Sequence, residues 1–148
     1  MSDRRRPPWY LKPMNRFLKA IQKLGIPAGP SQILTVPGRK SGKLRSTPMT
    51  PFTHNGGLYT VAGYPGADWA ANARAAGTGT LTRGRKSRHV RIIELNAEDA
   101  RPVLRSFAVE VPVGVGFAKR SGLVREGTPD EFEALAGELA VFRFDPPD

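Results

Sequence analysis

No cysteine occurs among the 148 residues. That excludes disulfides, thiolate metal sites and a cysteine nucleophile, and is compatible with a reducing cytoplasm. Histidine is almost as scarce. His54 abuts a hairpin turn, His89 falls in an outward-looking strand, and neither has a ligand partner at helical spacing. Both read as ordinary surface residues. No serine-centred nucleophile elbow stands out, and Ser41-Gly42 in the basic turn has the wrong flanks. Acids number thirteen against twenty-three lysines and arginines, and capping at helix starts accounts for most of them. No apolar run is long enough for a signal peptide or a membrane-spanning helix. A hydrolase is therefore poorly supported. A chain without such side chains either binds something or takes its chemistry from a cofactor.

What is abundant is positive charge. A net +10 and an isoelectric point near 10.7 attract nucleic acid, anionic membrane or anionic small molecules. Length and 39% hydrophobic content suit one domain with a real core. Sixteen glycines and fourteen prolines predict many turns and a β-rich fold. Residues 1–8 read as a flexible basic leader, and 9–148 as a single domain.

The spacing of Leu11, Met14, Phe17, Leu18, Ile21 and Leu24 predicts an amphipathic helix over 9–24. Such a helix can lie on a barrel or touch a membrane surface. Strands are expected at 33–36, at 44–54 with Pro48 and Pro51 confining it to an edge or bulge, and at 58–62 after the Asn55-Gly56-Gly57 turn. Asp68 is expected to cap a short helix to about residue 75, with Trp69 and Asn72 on one face. A second hairpin follows at 78–94. Asn96 then caps a helix over 97–107, with Asp99 as its capping acid, and 109–124 reads as irregular, apolar and glycine-rich. Thr128-Pro129-Asp130-Glu131 opens another helix to about 136, and 140–144 closes the fold. About six short strands in hairpins with appended helices predict an α+β, mainly antiparallel barrel.

Between the first two strands lies Gly38-Arg39-Lys40-Ser41-Gly42-Lys43-Leu44-Arg45, with four cations in seven positions. Glycines permit a tight turn, arginine offers a planar fork, lysine a point charge and Ser41 a hydroxyl. The arrangement suits a polyanion. It is neither a Walker loop, because Gly42 precedes Lys43-Leu44 and a strand, nor a Rossmann fingerprint. Spacing alone leaves a solvated charged hairpin equally open.

The run from Leu34 to Gly42, with Arg45 and Thr47-Pro48, resembles the signature of the deazaflavin-dependent nitroreductase family. The likeness continues through Leu58-Tyr59-Thr60-Val61-Ala62-Gly63, the pair Trp69 and Asn72, and Arg74-Ala75-Ala76-Gly77. It covers about residues 9–145. It implies a split β-barrel and coenzyme F420, a deazaflavin with a phosphate-bearing linker and a glutamate tail. By this resemblance Arg39, Lys40, Ser41, Gly42 and Arg45 hold the phosphate and tail. Thr47, Pro48 and Met49 run along the ribityl chain and ring. N–H groups of Val61, Ala62, Gly63 and Tyr64 meet the ring's carbonyl edge, and Trp69 and Asn72 close the site. The implied reaction is hydride transfer from the reduced ring to a small planar electron-poor acceptor: enone or lactone, such as a coumarin or furanocoumarin, quinone or nitroaromatic. Tyr64 is the candidate proton donor. Residues 107–124 hold Phe107 and Phe117 but no tyrosine, which implies a broad apolar acceptor pocket and argues against prodrug nitroreduction.

Two other functions remain open at this level. An FMN-binding barrel, or one holding a fatty acid or haem product, would share the fold. A nucleic-acid module would use Arg83-Gly84-Arg85-Lys86-Ser87-Arg88, but aromatics do not interleave with these cations, so no nucleic acid is expected. A cytoplasmic protein, with membrane association through the leading helix open, is expected, as monomer or dimer.

Overall fold

Seven strands and four helices organise residues 31–147, the part of the chain that the computed structural model describes. The expected leader and the expected helix at 9–24 lie outside the described residues. The strands are β1 (Gln32–Pro37), β2 (Leu44–Met49), β3 (Phe52–His54), β4 (Gly57–Val61), β5 (Thr78–Arg83), β6 (Lys86–Glu94) and β7 (Val141–Asp145). All pairings are antiparallel, in the order β2-β1-β5-β6-β7-β4-β3.

That order dictates a barrel. Strands β2 and β3 are the two edges of the sheet, yet only Thr50 and Pro51 separate them in sequence. Met49 and Phe52 therefore lie within about 11 Å of each other. Laid flat, seven strands would hold their edges roughly 29 Å apart. The sheet has to curl until its edges approach, which makes the expected split barrel. The expectation of one continuous strand at 44–54 fails for the same reason. Leu44–Met49 pairs with β1 and Phe52–His54 with β4, so the chain changes partners at Thr50-Pro51. Pro48 sits on an edge strand, where no inward ladder bond is asked of it.

The barrel interior is filled by Leu34, Val36, Leu81, Val90, Ile92, Phe142 and Phe144. Helix α1 (Asp68–Ala76) contributes Ala70 and Ala73 to this cluster, and small side chains let it come close to the strands. Asp68 is the first helical residue rather than the cap. Ala67 occupies the cap position and makes no side-chain bond, so the carboxylate acts through the positive end of the helix instead.

A second core covers the outer face of β3, β4 and β7. There Phe52 and Val141 meet Leu104, Phe107 and Phe132 of the remaining helices. Helix α2 (Ala97–Glu110) starts as expected, with Asn96 Oδ1 accepting the Asp99 N–H at 2.8 Å, and runs three residues past its expected end. Helix α3 (Pro112–Arg120) replaces the expected irregular segment. Pro112 opens it, and Gly114 is there for contact: a Cβ at that position would stand 2.4 Å from Cζ of Phe107. Helix α4 (Pro129–Glu133) has the full capping box that Thr128 and Glu131 predict, though it ends before residue 136. Among the described residues no helix is long and apolar enough to cross a membrane.

Candidate active site

The basic turn is drawn tight by its own backbone. The Gly38 N–H donates to the Lys43 carbonyl at 2.7 Å and the Gly42 N–H to the Gly38 carbonyl at 2.9 Å. Gly42 has φ of 73°, which glycine adopts without a Cβ penalty. Ser41 Oγ accepts the Lys43 N–H at 3.2 Å, and its own proton is left to donate outward.

Asn72 fixes this turn to α1. Its side chain is buried, and Oδ1 accepts from the Arg39 N–H at 3.1 Å and from Arg39 Nη1 at 2.8 Å. A buried amide oxygen needs such partners. Arg39 also reaches the Asp68 carbonyl at 3.4 Å and its carboxylate at 3.5 Å. The Asp68 side chain is 89% exposed, so this last pair is weak. The arginine fork is thereby held against the start of α1, while the exposed Lys40 and Arg45 line the same groove.

Two hollows meet at Trp69. The first is an open groove of about 630 Å³, walled by Arg39, Lys40, Ser41, Arg45, Thr47, Trp69 and Asn72, with Gly38, Leu44, Ser46 and Asp68. The second, of about 230 Å³, is apolar, with Pro48, Met49, Val61, Ala62, Gly63 and Trp69 on one side. Phe107, Val113, Phe117, Phe132 and Leu139 stand on the other. The indole of Trp69 packs on Phe142 at 5.6 Å between ring centroids and so belongs both to the barrel core and to the partition between the hollows. The apolar hollow lies across the seam of the sheet, because Pro48 and Met49 come from one edge and Val61 from the strand beside the other.

Most residues expected at the site are therefore brought together, in two groups. Gly42 is the exception in the turn: it shapes the loop and lines neither hollow. Tyr64 is half exposed and lines a separate cavity, which shares Ala62 and Leu139 with the apolar one. Of the expected backbone donors, the Ala62 N–H is already given to the Ala140 carbonyl at 2.9 Å. Sequence reasoning missed Val113, Phe132 and Leu139. Only the burial of α3 and α4 against the barrel could reveal them.

The floor of the apolar hollow has its own brace. The Glu131 carboxylate accepts N–H bonds from Arg125 (2.7 Å), Glu126 (3.0 Å), Gly127 (2.8 Å) and Thr128 (3.1 Å), beside the fully buried Phe132. Those donors, the Arg125 N–H foremost, hold its pKa down at about 2. Among the described residues no group of three or more acids and histidines could hold a metal ion.

The donor set fits a ligand that is anionic at one end and flat and apolar at the other. Basic and hydroxyl side chains surround the larger hollow, an apolar, aromatic-walled space adjoins it, and Gly63 leaves room across that second space. A Cβ on Gly63 would already meet the Phe117 ring at 3.4 Å.

The model of the F420H(2)-dependent quinone reductase family matches residues 14–123. No protein of curated function matches the sequence. Among solved structures, one described as a domain-swapped dimer is 21% identical, with a TM-score of 0.58 over 89% of this chain and 96% of the other. A putative pyridoxamine 5'-phosphate oxidase from Listeria innocua is 11% identical, with a TM-score of 0.51 over 91% of this chain and 94% of its own. A structure of an F420-H2 dependent reductase is 23% identical, at a TM-score of 0.49 over 81% of this chain and 97% of its own. At these identities the first two likenesses are likenesses of fold.

Proposed function

Because the chain belongs to the F420H(2)-dependent quinone reductase family, and is thus an oxidoreductase using reduced coenzyme F420, we propose that the basic groove holds the anionic linker and tail and the apolar hollow holds the ring. The acceptor then stacks in the same hollow, against the wall built by Phe107, Val113 and Phe117. When bound, the reduced deazaflavin supplies a hydride to an electron-poor acceptor. The observation that carries this reading is the junction of the two hollows at Trp69.

Each residue then has a stated task. Lys40 and Arg45 attract phosphate and carboxylate, and Ser41 donates its hydroxyl proton to them. Asn72 orients Arg39, whose fork faces the groove from a fixed base. Pro48, Met49, Val61, Ala62 and Trp69 exclude water from the ring's surroundings. No side chain with acid–base character lines the apolar hollow, so the proton that completes reduction comes from solvent at its open side. The proposed acceptors are quinones and activated enones or lactones of coumarin or furanocoumarin type. Nitroaromatics rank lower, since no tyrosine stands on the acceptor side.

Titration with coenzyme F420 against FMN and NADPH tests the cofactor assignment. Loss of the reduced cofactor's absorbance on adding a quinone or an enone tests the acceptor class. Tight FMN binding without F420 binding would overturn the reading. Lys40→Gln should weaken F420 with a long tail by roughly tenfold, as loss of one charge-assisted contact does, and a tail-less fragment much less. Equal loss for both would contradict the tail assignment.

A further inference from the structure

Four consecutive residues of β2, Leu44, Arg45, Ser46 and Thr47, line the basic groove. Neighbouring side chains of a strand point to opposite faces, so what the four share is the strand's edge. That edge is unpaired among the described residues, because β2 is the outermost strand of the sheet and β1 is its one neighbour. Pairs along β1 and β2 alternate between those that exchange N–H···O=C bonds and those that exchange none. Proline has no N–H, so Ile33–Pro48 and Pro37–Leu44 are of the second kind, and by alternation Thr35–Ser46 is too. The 2.7 Å contact between Thr35 Oγ1 and Ser46 Oγ fits the closer approach of side chains in such pairs. Ser46 and Leu44 therefore turn their N–H and C=O groups away from β1 and out of the sheet, while Arg45 and Thr47 give theirs to the ladder.

Two outward donor–acceptor pairs thus stand in line, one two-residue step of about 6.8 Å apart. One step beyond Ser46, Pro48 lines the apolar hollow and has no N–H to offer. The edge leads from the hollow into the groove. Its flanks are cationic, with Lys40 and Arg45 exposed beside it, and Asp68 is the single carboxylate among the groove's lining residues. A long anion that also carries amides matches such an edge on both counts. In coenzyme F420 a lactyl group joins the linker phosphate to the first glutamate of the tail. Extended, that unit sets about 6 Å between a phosphate oxygen and the first amide nitrogen, by standard bond lengths. One step of the strand has nearly the same length.

We propose that the cofactor's linker and tail add to the edge of β2 as a further strand. The phosphate accepts the Ser46 N–H, and the first tail amide exchanges hydrogen bonds with the N–H and C=O of Leu44. Cationic side chains then supply attraction that salt screens, and the edge supplies direction and register. A second copy of the chain fits this edge less well, because its own Lys40 and Arg45 would face these. The inference rests on the cofactor reading above, and adds to it that the tail is recognised by its amide as well as by its charges.

Amide hydrogen exchange in the native full-length chain tests the pairing directly. Without ligand, the outward N–H groups of Leu44 and Ser46 should exchange fast, and those of Arg45 and Thr47, bonded to β1, slowly. Saturating coenzyme F420 should slow exchange at 44 and 46 by about tenfold or more, and a tail-less deazaflavin fragment should not. A variant gives the second measurement. Pro37 and Pro48 already occupy positions of the same kind, so Leu44→Pro deletes one outward donor without removing a ladder bond. Leu44→Ala keeps the N–H and measures the side chain's share. Leu44→Pro should bind coenzyme F420 about fivefold more weakly than Leu44→Ala does, as loss of one hydrogen bond dictates, and both should bind the tail-less fragment alike. If the cofactor binds while Leu44 keeps its fast exchange, or if the two variants bind it equally, the edge pairing is overturned and the cofactor reading stands. If the native chain does not bind coenzyme F420, both fall. Slow exchange at 44 and 46 that needs no cofactor and grows with protein concentration would overturn the pairing in favour of a second copy.

Discussion

Asn72 shows how one amide can organise a site made mostly of charges. Arg39 offers both its backbone N–H and its guanidinium to a single buried oxygen, and the cation beside the basic groove is thereby fixed in direction. Removing that oxygen in Asn72→Ala leaves two donors to find water, which should cost about 1 kcal/mol of stability in a denaturant melt. Coenzyme F420 affinity should fall by roughly tenfold as the turn loosens. Asn72→Asp separates the two effects. It keeps an acceptor, so the melt should be preserved, but its charge competes with the ligand for Arg39, so affinity should still fall. If Asn72→Asp bound as well as the native chain, Arg39 would not face the anion. Gly114 is a second residue whose role is decided by a single distance. A Cβ placed 2.4 Å from Cζ of Phe107 forces α3 away from α2. Gly114→Ala should thus cost about 1–3 kcal/mol, the usual penalty of overpacking, although alanine is the better helix former.

Helix α4 illustrates what a sequence can disclose at the scale of an element. Its start was legible because Thr128, Pro129 and Glu131 act on backbone groups within a few residues of themselves. The same holds for Asn96 and Asp99 at the start of α2, and for the Asn55-Gly56 turn, where Asn55 adopts a φ of 48°. Helix α3 was not legible, since Gly114 and Gly116 argue locally against a helix, and only the approach to Phe107 explains the first of them. The break between β2 and β3 was hidden too, because which neighbour a strand chooses is a property of the sheet and not of residues 44–54. The basic groove was readable from the charged turn. The helical wall of the apolar hollow was not, because it is assembled from three separate helices. The capping box also makes a pH prediction. Four N–H bonds keep the Glu131 carboxylate at a pKa of about 2, against 4.5 ordinarily. A depressed pKa contributes stability that is present in full above the ordinary value and disappears as pH falls through the folded one. Glu131→Gln should therefore melt below the native chain near neutral pH. The gap should narrow from about pH 5 downward and close near pH 2. A gap independent of pH would show that shape rather than charge is what the box needs.

At the scale of the whole molecule, the two-residue connection Thr50-Pro51 bears on both closure and the apolar hollow. It ties one edge of a seven-stranded sheet to the other, and the apolar hollow is the space left at that seam. On its barrel side, Pro48, Met49 and Thr50 come from one edge of the sheet and Thr60, Val61 and Ala62 from the strand beside the other edge and its end. Neither group pairs with the other along the backbone, so the connection sets the width of the hollow while the two cores hold the barrel. Stability and binding should then respond differently to a longer connection. Lengthening a loop adds closure entropy only logarithmically, so three glycines inserted between Thr50 and Pro51 should cost about 1 kcal/mol in a denaturant melt. Pro51 is buried, and its displacement adds modestly to that. Ring binding should suffer far more, because the walls that exclude water are no longer held at one separation. Coenzyme F420 affinity should drop by at least tenfold, and a tail fragment without the ring should bind nearly as before, since the basic groove lies wholly on the β1–β2 and α1 side. Equal losses for the fragment and the intact cofactor would mean that the connection supports the groove rather than the seam.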